Sequence, residues 1–337
     1  MNSSAKRIMV TGGAGFIGSN LLLHLHEFYP EAELFNIDKL TYASDLSNLE
    51  SIQGSDRYQF EQIDLVDRDA VRRAVRHFRP HGVYHLAAES HVDNSIAGPE
   101  PFVMSNVVGT FNLIEECRLL WQNDDSPMPD HRFVHVSTDE VYGELGEEGA
   151  FDEETPYAPN SPYSATKAGS DFLVRSYHRT YGLQTVITNC SNNYGPHQHS
   201  EKLIPTVIRK ALAHEPIPVY GKGDNVRDWL YVRDHCRALS SVYENGRAGE
   251  SYAIGGNNEW KNIELVHRLC DILDRETDNG PDGGYASLIT FVADRPGHDF
   301  RYAIDASKVE RETGWSPSQE FDRMLTETVR WYIRRLM

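Results

Sequence analysis

A chain of 337 residues with 39% hydrophobic side chains has enough apolar material to bury a substantial core, as one large domain or two modest ones. Its formal net charge of −17 argues against general nucleic-acid binding, which relies on clustered lysines and arginines to neutralise phosphates. No run approaches the roughly 18 apolar residues of a membrane span, the start "MNSSAKRIMVTGG" lacks the apolar core of a secretory signal, and Cys117, Cys190, Cys236 and Cys270 show no CxxC spacing, so the expectation is a cytoplasmic chain with reduced thiols, no membrane partner and no metal.

The first apolar run, "RIMVTG" from residue 7, reads as a strand and leads into "VTGGAGFIGSN", with helical spacing in "NLLLHLHEF" at 20–28. Gly12, Gly15 and Gly18 recur every three residues, and Gly13, Gly15 and Gly18 also satisfy GxGxxG. Glycines at a strand-to-helix turn let a pyrophosphate approach backbone N–H groups at a helix N-terminus. A second strand, "AELFNID" from residue 32, ends in Asp38, 20 residues after Gly18. A carboxylate there accepts hydrogen bonds from ribose hydroxyls and repels a 2′-phosphate, which favours NAD over NADP.

"YQFEQIDL" from residue 58 is the third strand, and its Asp64 is placed to reach adenine; "DAVRRAVRHF" at 69–78 is the next helix. "GVYHLAA" from residue 82 runs into "LAAES", whose Leu86, Ala87 and Ala88 are small enough to lie beside a cofactor. Phe16 and Ile17 within the fingerprint, and Lys39, Leu40 and Leu65 beside the two carboxylates, join the cofactor-binding set. Strands continue with "RFVHVS" at 132 and "QTVITN" at 184. Strands alternating with helices imply parallel βαβ units, hence an α/β doubly wound parallel sheet (Rossmann) with ligands at the carboxyl ends of the strands.

Loops are expected at 121–131, 143–162 and 274–284, where Gly, Pro and acidic residues accumulate. After about residue 190 the alternation fades. The expected division is therefore residues 1–190 plus about 228–255 as the NAD-binding domain, and about 191–227 plus 256–337 as a smaller substrate-binding lobe.

Two groups carry chemistry. "SPYSATKAG" sets Tyr163 and Lys167 four residues apart, on one face of a helix. A lysine ammonium near a phenol favours the phenolate, so Tyr163 is a candidate base for a sugar or alcohol hydroxyl, with Thr138 placed to hydrogen-bond the same oxygen. Asp139 and Glu140 follow Thr138 directly where a strand runs out. An isolated acidic pair is usually a solvated turn or a helix cap; at the functional edge of such a sheet it becomes a candidate acid and base, provided that the environment separates the two pKa values.

Together these stretches resemble the extended short-chain dehydrogenase/reductase family, and within it the dTDP-glucose 4,6-dehydratases, over nearly the whole chain. The resemblance rests on "TGGAGFIGSN", "NIDKLTYA", "LAAESHVD", "STDEVYG", "YSATK", "TNCSNNYGP", "EKLIP", "YGKGDNVRDWLYV", "AIGGNNEWKNI" and "DRPGHDFRYAID". Epimerases share the first blocks and YxxxK, so the Thr-Asp-Glu triplet and the "RPGHD" block discriminate best.

The resemblance implies a redox-neutral dehydration in which Tyr163 takes the sugar 4-hydroxyl proton, Glu140 the hydrogen at carbon 5, and Asp139 protonates the departing 6-hydroxyl. Thr138 and Lys167 assist. It also implies that Thr41, Ser105 and Asn193 contact NAD, and that Ser90 serves both cofactor and substrate. Asn192, Lys202, Leu203, Pro218, Tyr220, Asn262, His298 and Tyr302 are implied as contacts of a nucleoside diphosphate sugar, with Arg227 and Arg295 as diphosphate ligands suited to bidentate pairing. A homodimer is implied as well. The chain departs from many relatives at Asn94, where arginine is common, and at His199–Ser200, in place of an aromatic–proline pair.

Overall fold

In a computed structural model of the chain, residues 6–123, 125–294 and 299–337 are described; Arg295 and His298 lie outside the described residues. Seven strands form one parallel sheet: β1 (Arg7–Thr11), β2 (Glu33–Asp38), β3 (Tyr58–Gln62), β4 (Gly82–His85), β5 (Arg132–Thr138), β6 (Thr185–Cys190) and, from further along the chain, Ser251–Ile254. From one edge the order is β3, β2, β1, β4, β5, β6 and Ser251–Ile254, so the winding reverses between β1 and β4. A doubly wound sheet opens its ligand crevice at that reversal.

Period-two alternation sorts each strand's side chains between two buried faces. Ile8 and Val10 of β1 enter a core with Leu21, Leu22 and Leu25 of helix α1 (Phe16–Phe28), while Met9 faces Phe35, Val83 and Val71 on the other side. Helix α2 (Arg68–Phe78) shows why such segments are helical. Val71, Ala74, Val75 and Phe78 fall on one stripe and are buried, Asp67 caps the start by accepting from the Ala70 N–H at 3.0 Å, and Arg79 ends it in a left-handed conformation (φ 51°). Each larger apolar residue of that stripe contributes roughly 1.5–3 kcal/mol.

Helix α3 (Gly109–Trp121) is preceded without a break by a π-helical stretch, Val103–Val108, that the sequence pattern does not announce. Its wider turn carries Ser105 and Asn106 toward the crevice; Asn106 Nδ2 bonds Thr166 Oγ1 at 3.0 Å and the Glu89 carbonyl at 3.1 Å. Helix α4 (Pro162–Tyr181) begins with Pro162 in its first turn and a reciprocal cap between Ser161 and Ser164, and ends at Gly182 (φ +70°).

Beyond β6 lies a third core around Ile204, Val207, Leu265, Leu269 and Val329. It is covered by a three-stranded sheet of β7 (Asn192–Tyr194), Val226–Tyr231 and Glu259–Lys261, and by a parallel pair, Ile217–Tyr220 with Ile289–Val292. The helix Asn262–Glu276 runs three residues into the stretch 274–284 expected as a loop, because Leu265, Leu269, Ile272 and Leu273 hold it in this core to its last turn.

Candidate active site

At the β1–α1 turn each glycine answers a different contact. Gly12 has φ +73°, and a Cβ there would stand 2.7 Å from Ala87 N; a Cβ on Gly18 would lie 2.1 Å from the Gly12 carbonyl oxygen. The position of a Gly13 Cβ is taken by the Asn36 side chain, so Gly13 serves packing. At Gly15 a Cβ would meet only the Gly12 oxygen, at 3.2 Å, and the backbone faces the crevice. Gly15 is also the N-cap of α1 and offers no side-chain cap, leaving the first helical N–H groups open to an anion.

The crevice has a volume of about 310 Å³. Phe16, Ile17, Asp38, Lys39, Thr41, Asp64, Leu65, Leu86, Ala87, Ala88, Ser90, Ser105 and Asn193 line it together with the glycines. Asp38 is buried and well anchored: one oxygen accepts from Leu40 N and Ser44 Oγ, both at 2.8 Å, and the other from Ala14 N at 3.0 Å. Leu40 itself is not among the lining residues; it holds φ 58° and serves through that N–H. Lys39 reaches across the crevice mouth to Glu89 and to Ser105 Oγ, each at 2.8 Å. Open N–H groups, a bare Gly15 and small Ala87 and Ala88 fit the dinucleotide expected from the fingerprint.

The far end of the same crevice holds Thr138, Asp139, Glu140, Tyr163 and Lys167. Thr138 closes β5 and caps the 3-10 turn that follows, its Oγ1 accepting from the Glu140 N–H at 3.3 Å and donating to Asp139 Oδ1 at 3.2 Å. Asp139 is 2% exposed, and its Oδ2 has no hydrogen-bond partner among the described residues. Burial, then the charges of Glu140 and Asp228, push its carboxyl well above the usual carboxylate range. Its neighbour Glu140 is only half-buried. Adjacent residues in a tight turn thus occupy different environments, one dry and pushed toward its protonated form, the other half-buried at the crevice.

Tyr163 departs from the simplest reading of YxxxK. Burial, Glu140 and Cys190 push its phenol well above 10, against which a hydrogen bond with Thr138 lowers it. The Lys167 ammonium donates to the Val136 carbonyl at 2.8 Å, and burial lowers its pKa. The phenol is therefore neutral at rest.

Of the expected substrate contacts, Ser90, Asn192 and Lys202 line the crevice. Asn192 Oδ1 is buried without a partner among the described residues, and Lys202 donates to the Ser90 carbonyl at 3.3 Å. Leu203, Pro218, Tyr220, Arg227, Asn262 and Tyr302 belong to the second lobe and stand outside that lining. Arg227 is buried over the Tyr302 ring at 4.3 Å and donates to the carbonyls of Val226, Asp299 and Phe300. Its charge acts on Asp139, and that of Glu140 on Tyr302.

Several lining residues escape a linear reading, among them Ser137, Cys190, Gln198 and Glu201. The two departures, Asn94 and His199, meet at Tyr42: Asn94 hydrogen-bonds its hydroxyl, and the His199 ring lies edge-on at 5.5 Å.

The sequence pattern of the GDP-mannose 4,6 dehydratase family matches residues 9–328. The chain is 52% identical to the dTDP-glucose 4,6-dehydratase of Neisseria meningitidis serogroup B, over 97% of this chain and 93% of that one. Among solved structures it is similar to the dTDP-glucose 4,6-dehydratase of Streptomyces venezuelae with NAD and TYD bound (45% identity, 97% of each chain, TM-score 0.88). It is likewise similar to that of Bacillus anthracis in complex with NAD (42% identity, 98% of this chain and 97% of that one, TM-score 0.86).

Proposed function

The chain belongs to the GDP-mannose 4,6 dehydratase family, and on that premise we propose that it is an NAD-dependent enzyme that dehydrates dTDP-glucose to dTDP-4-keto-6-deoxyglucose. The observation that carries the reading is the buried Asp139, its carboxyl pushed well above the usual range, beside half-buried Glu140 and within the same crevice as Tyr163. An epimerase has no use for an acid and a base at neighbouring carbons, and the relatives named above are dehydratases.

NAD, when bound, would supply a hydride acceptor for carbon 4 and, once reduced, a hydride donor for carbon 6, and it would bring a positive ring to the crevice. Tyr163 accepts the proton of the sugar 4-hydroxyl as its phenolate, a form favoured over the resting neutral phenol by the positive nicotinamide ring, the Lys167 ammonium and the hydrogen bond with Thr138. Once carbon 4 is a ketone, the hydrogen at carbon 5 is acidic. Glu140 removes it, Asp139 gives its proton to the 6-hydroxyl so that water departs, and a proton exchanged with solvent returns to carbon 5 through Glu140. Loss of one water accounts for the whole change in composition. Two carboxyl groups in different environments are the usual means by which one site runs acid and base steps together.

Residues 1–190 with about 228–255 hold NAD, and the remainder of the chain holds the nucleotide sugar. The protein acts as a homodimer, a reading supported by Val103, Phe111 and Phe172, which stand exposed on adjoining helical segments of the sheet's flank. A reducing, cytoplasmic setting is supported by four buried, unpaired cysteines.

Purified protein given dTDP-glucose in deuterated water, with no added reductant, should release the 4-keto-6-deoxy product carrying deuterium at carbon 5. Glu140→Gln should still reduce its bound NAD while releasing no product. Product without the label, or equal loss of both steps in the variant, would refute the role given to Glu140.

A further inference from the structure

Beneath the Tyr163–Lys167 pair lies a carboxylate to which the dehydration assigns no task. Asp171 follows Lys167 by one helical step of four residues and Tyr163 by two, so the three share one face of α4. The side chain is 1% exposed, yet it is held by partners from three other parts of the chain. Oδ2 accepts from Ser137 Oγ of β5 at 2.7 Å, from the Tyr157 hydroxyl at 2.9 Å and from Asn189 Nδ2 of β6 at 3.3 Å, while Oδ1 faces His135 Nε2 at 3.1 Å. Three donors on one buried oxygen are what a charged carboxylate needs when water is excluded.

Lys167 poses the complementary problem. It is 4% exposed and its ammonium has one acceptor among the described residues, the neutral Val136 carbonyl, so burial favours loss of its proton. A neutral lysine cannot stabilise a tyrosinate. The other titratable groups facing this region are held uncharged by burial: His85 and His135 are pushed down, Cys190 is pushed up to about 12, and Tyr142 and Tyr157 are pushed up as well. Among the charges acting on Lys167, that of Asp171 raises its affinity for a proton most.

We propose that Asp171 is a positioning residue for the catalytic pair, supplying from below the negative charge that keeps the buried Lys167 an ammonium under Tyr163. The inference deepens the dehydratase reading and rests on it. It touches neither sugar nor cofactor, and it acts only through Lys167.

The test compares pH profiles of kcat/KM for dTDP-glucose in the NAD-bound wild type, Asp171→Asn, Asp171→Glu and Lys167→Met. Removal of a nearby opposite charge shifts a pKa by about one to three units. The alkaline limb of Asp171→Asn should accordingly move to lower pH by about one unit or more, a loss of about tenfold or more above that limb, with activity on the acid side largely kept. Asp171→Glu should return the limb toward its wild-type position. A uniform loss at every pH, or an unmoved limb, overturns the proposal. Full activity in Lys167→Met would instead refute the role of the pair itself, a separate outcome. If Asp171→Asn does not fold, nitrogen NMR of the Lys167 side chain in the wild type decides. An ammonium that persists above neutral pH supports the assignment, and a group already neutral at pH 7 overturns it.

Discussion

Asp139→Asn separates chemistry from stability more cleanly than any other single change in this site. Asparagine matches aspartic acid in size, and its carbonyl oxygen retains the contact with Thr138 Oγ1, which lies 3.2 Å from Asp139 Oδ1. Burial drives that carboxyl toward its protonated form, so the substitution disturbs the charge of the site little. It removes only the transferable proton. A positioned general acid contributes about 10²–10⁴ in rate, equivalent to roughly 3–5 kcal/mol of barrier, and the loss should fall on elimination while reduction of bound NAD by the sugar persists.

Stability supplies an independent readout. A carboxyl whose folded pKa is raised adds its full stability below the unfolded value near 3.9, and that contribution is lost as pH rises toward the folded value. Over that window the wild type should lose about 1.4 kcal/mol per pH unit relative to Asp139→Asn. Rapid-quench assays of product, absorbance of reduced NAD, and urea unfolding from mildly acid to neutral pH together check this. A variant that eliminates water within threefold of the wild type, or whose stability runs parallel to it across pH, would refute the assignment of Asp139 as the buried acid.

Gly15→Ala should fold with little loss, since its Cβ would meet one oxygen at 3.2 Å, but should weaken NAD binding measured by calorimetry. Gly18→Ala, whose Cβ would fall 2.1 Å from the Gly12 oxygen, should instead lower the thermal midpoint with or without cofactor. Asp38→Asn should lose about 1–3 kcal/mol of stability by weakening the acceptors that hold Ala14, Leu40 and Ser44. It should also narrow the preference for NAD over NADP in paired titrations, because the charge that repels a 2′-phosphate is gone.

The legible parts of the site are those whose logic is local. Gly12, Gly15 and Gly18 fall within one strand-to-helix turn, Asp38 ends the next strand, and Tyr163 and Lys167 obey the helical period, so spacing alone brings each group to the crevice. Asp171 obeys the same period, yet its importance was hidden because the donors that hold it come from β5, β6 and the loop before α4. The pairing of Ile217–Tyr220 with Ile289–Val292 was hidden for a similar reason: two four-residue strands far apart in the chain announce no partner. Tyr42, where Asn94 and His199 converge, shows two apparently unrelated departures in the sequence to be a single local substitution in space.

From the sequence alone came the parallel α/β order, the nucleotide turn and the candidate acid–base residues, the first two because strand and helix periods and turn chemistry act over a few residues. Only the tertiary structure supplied a physical cause for the two carboxyl groups to differ. Asp139 and Glu140 are chemically near-equivalent neighbours, and what distinguishes them is the dry pocket closed over Asp139, with Arg227 and Asp228 of the strand Val226–Tyr231 acting on its charge. Desolvation and long-range charge depend on what packs from elsewhere, and no spacing within "STDEVYG" encodes that.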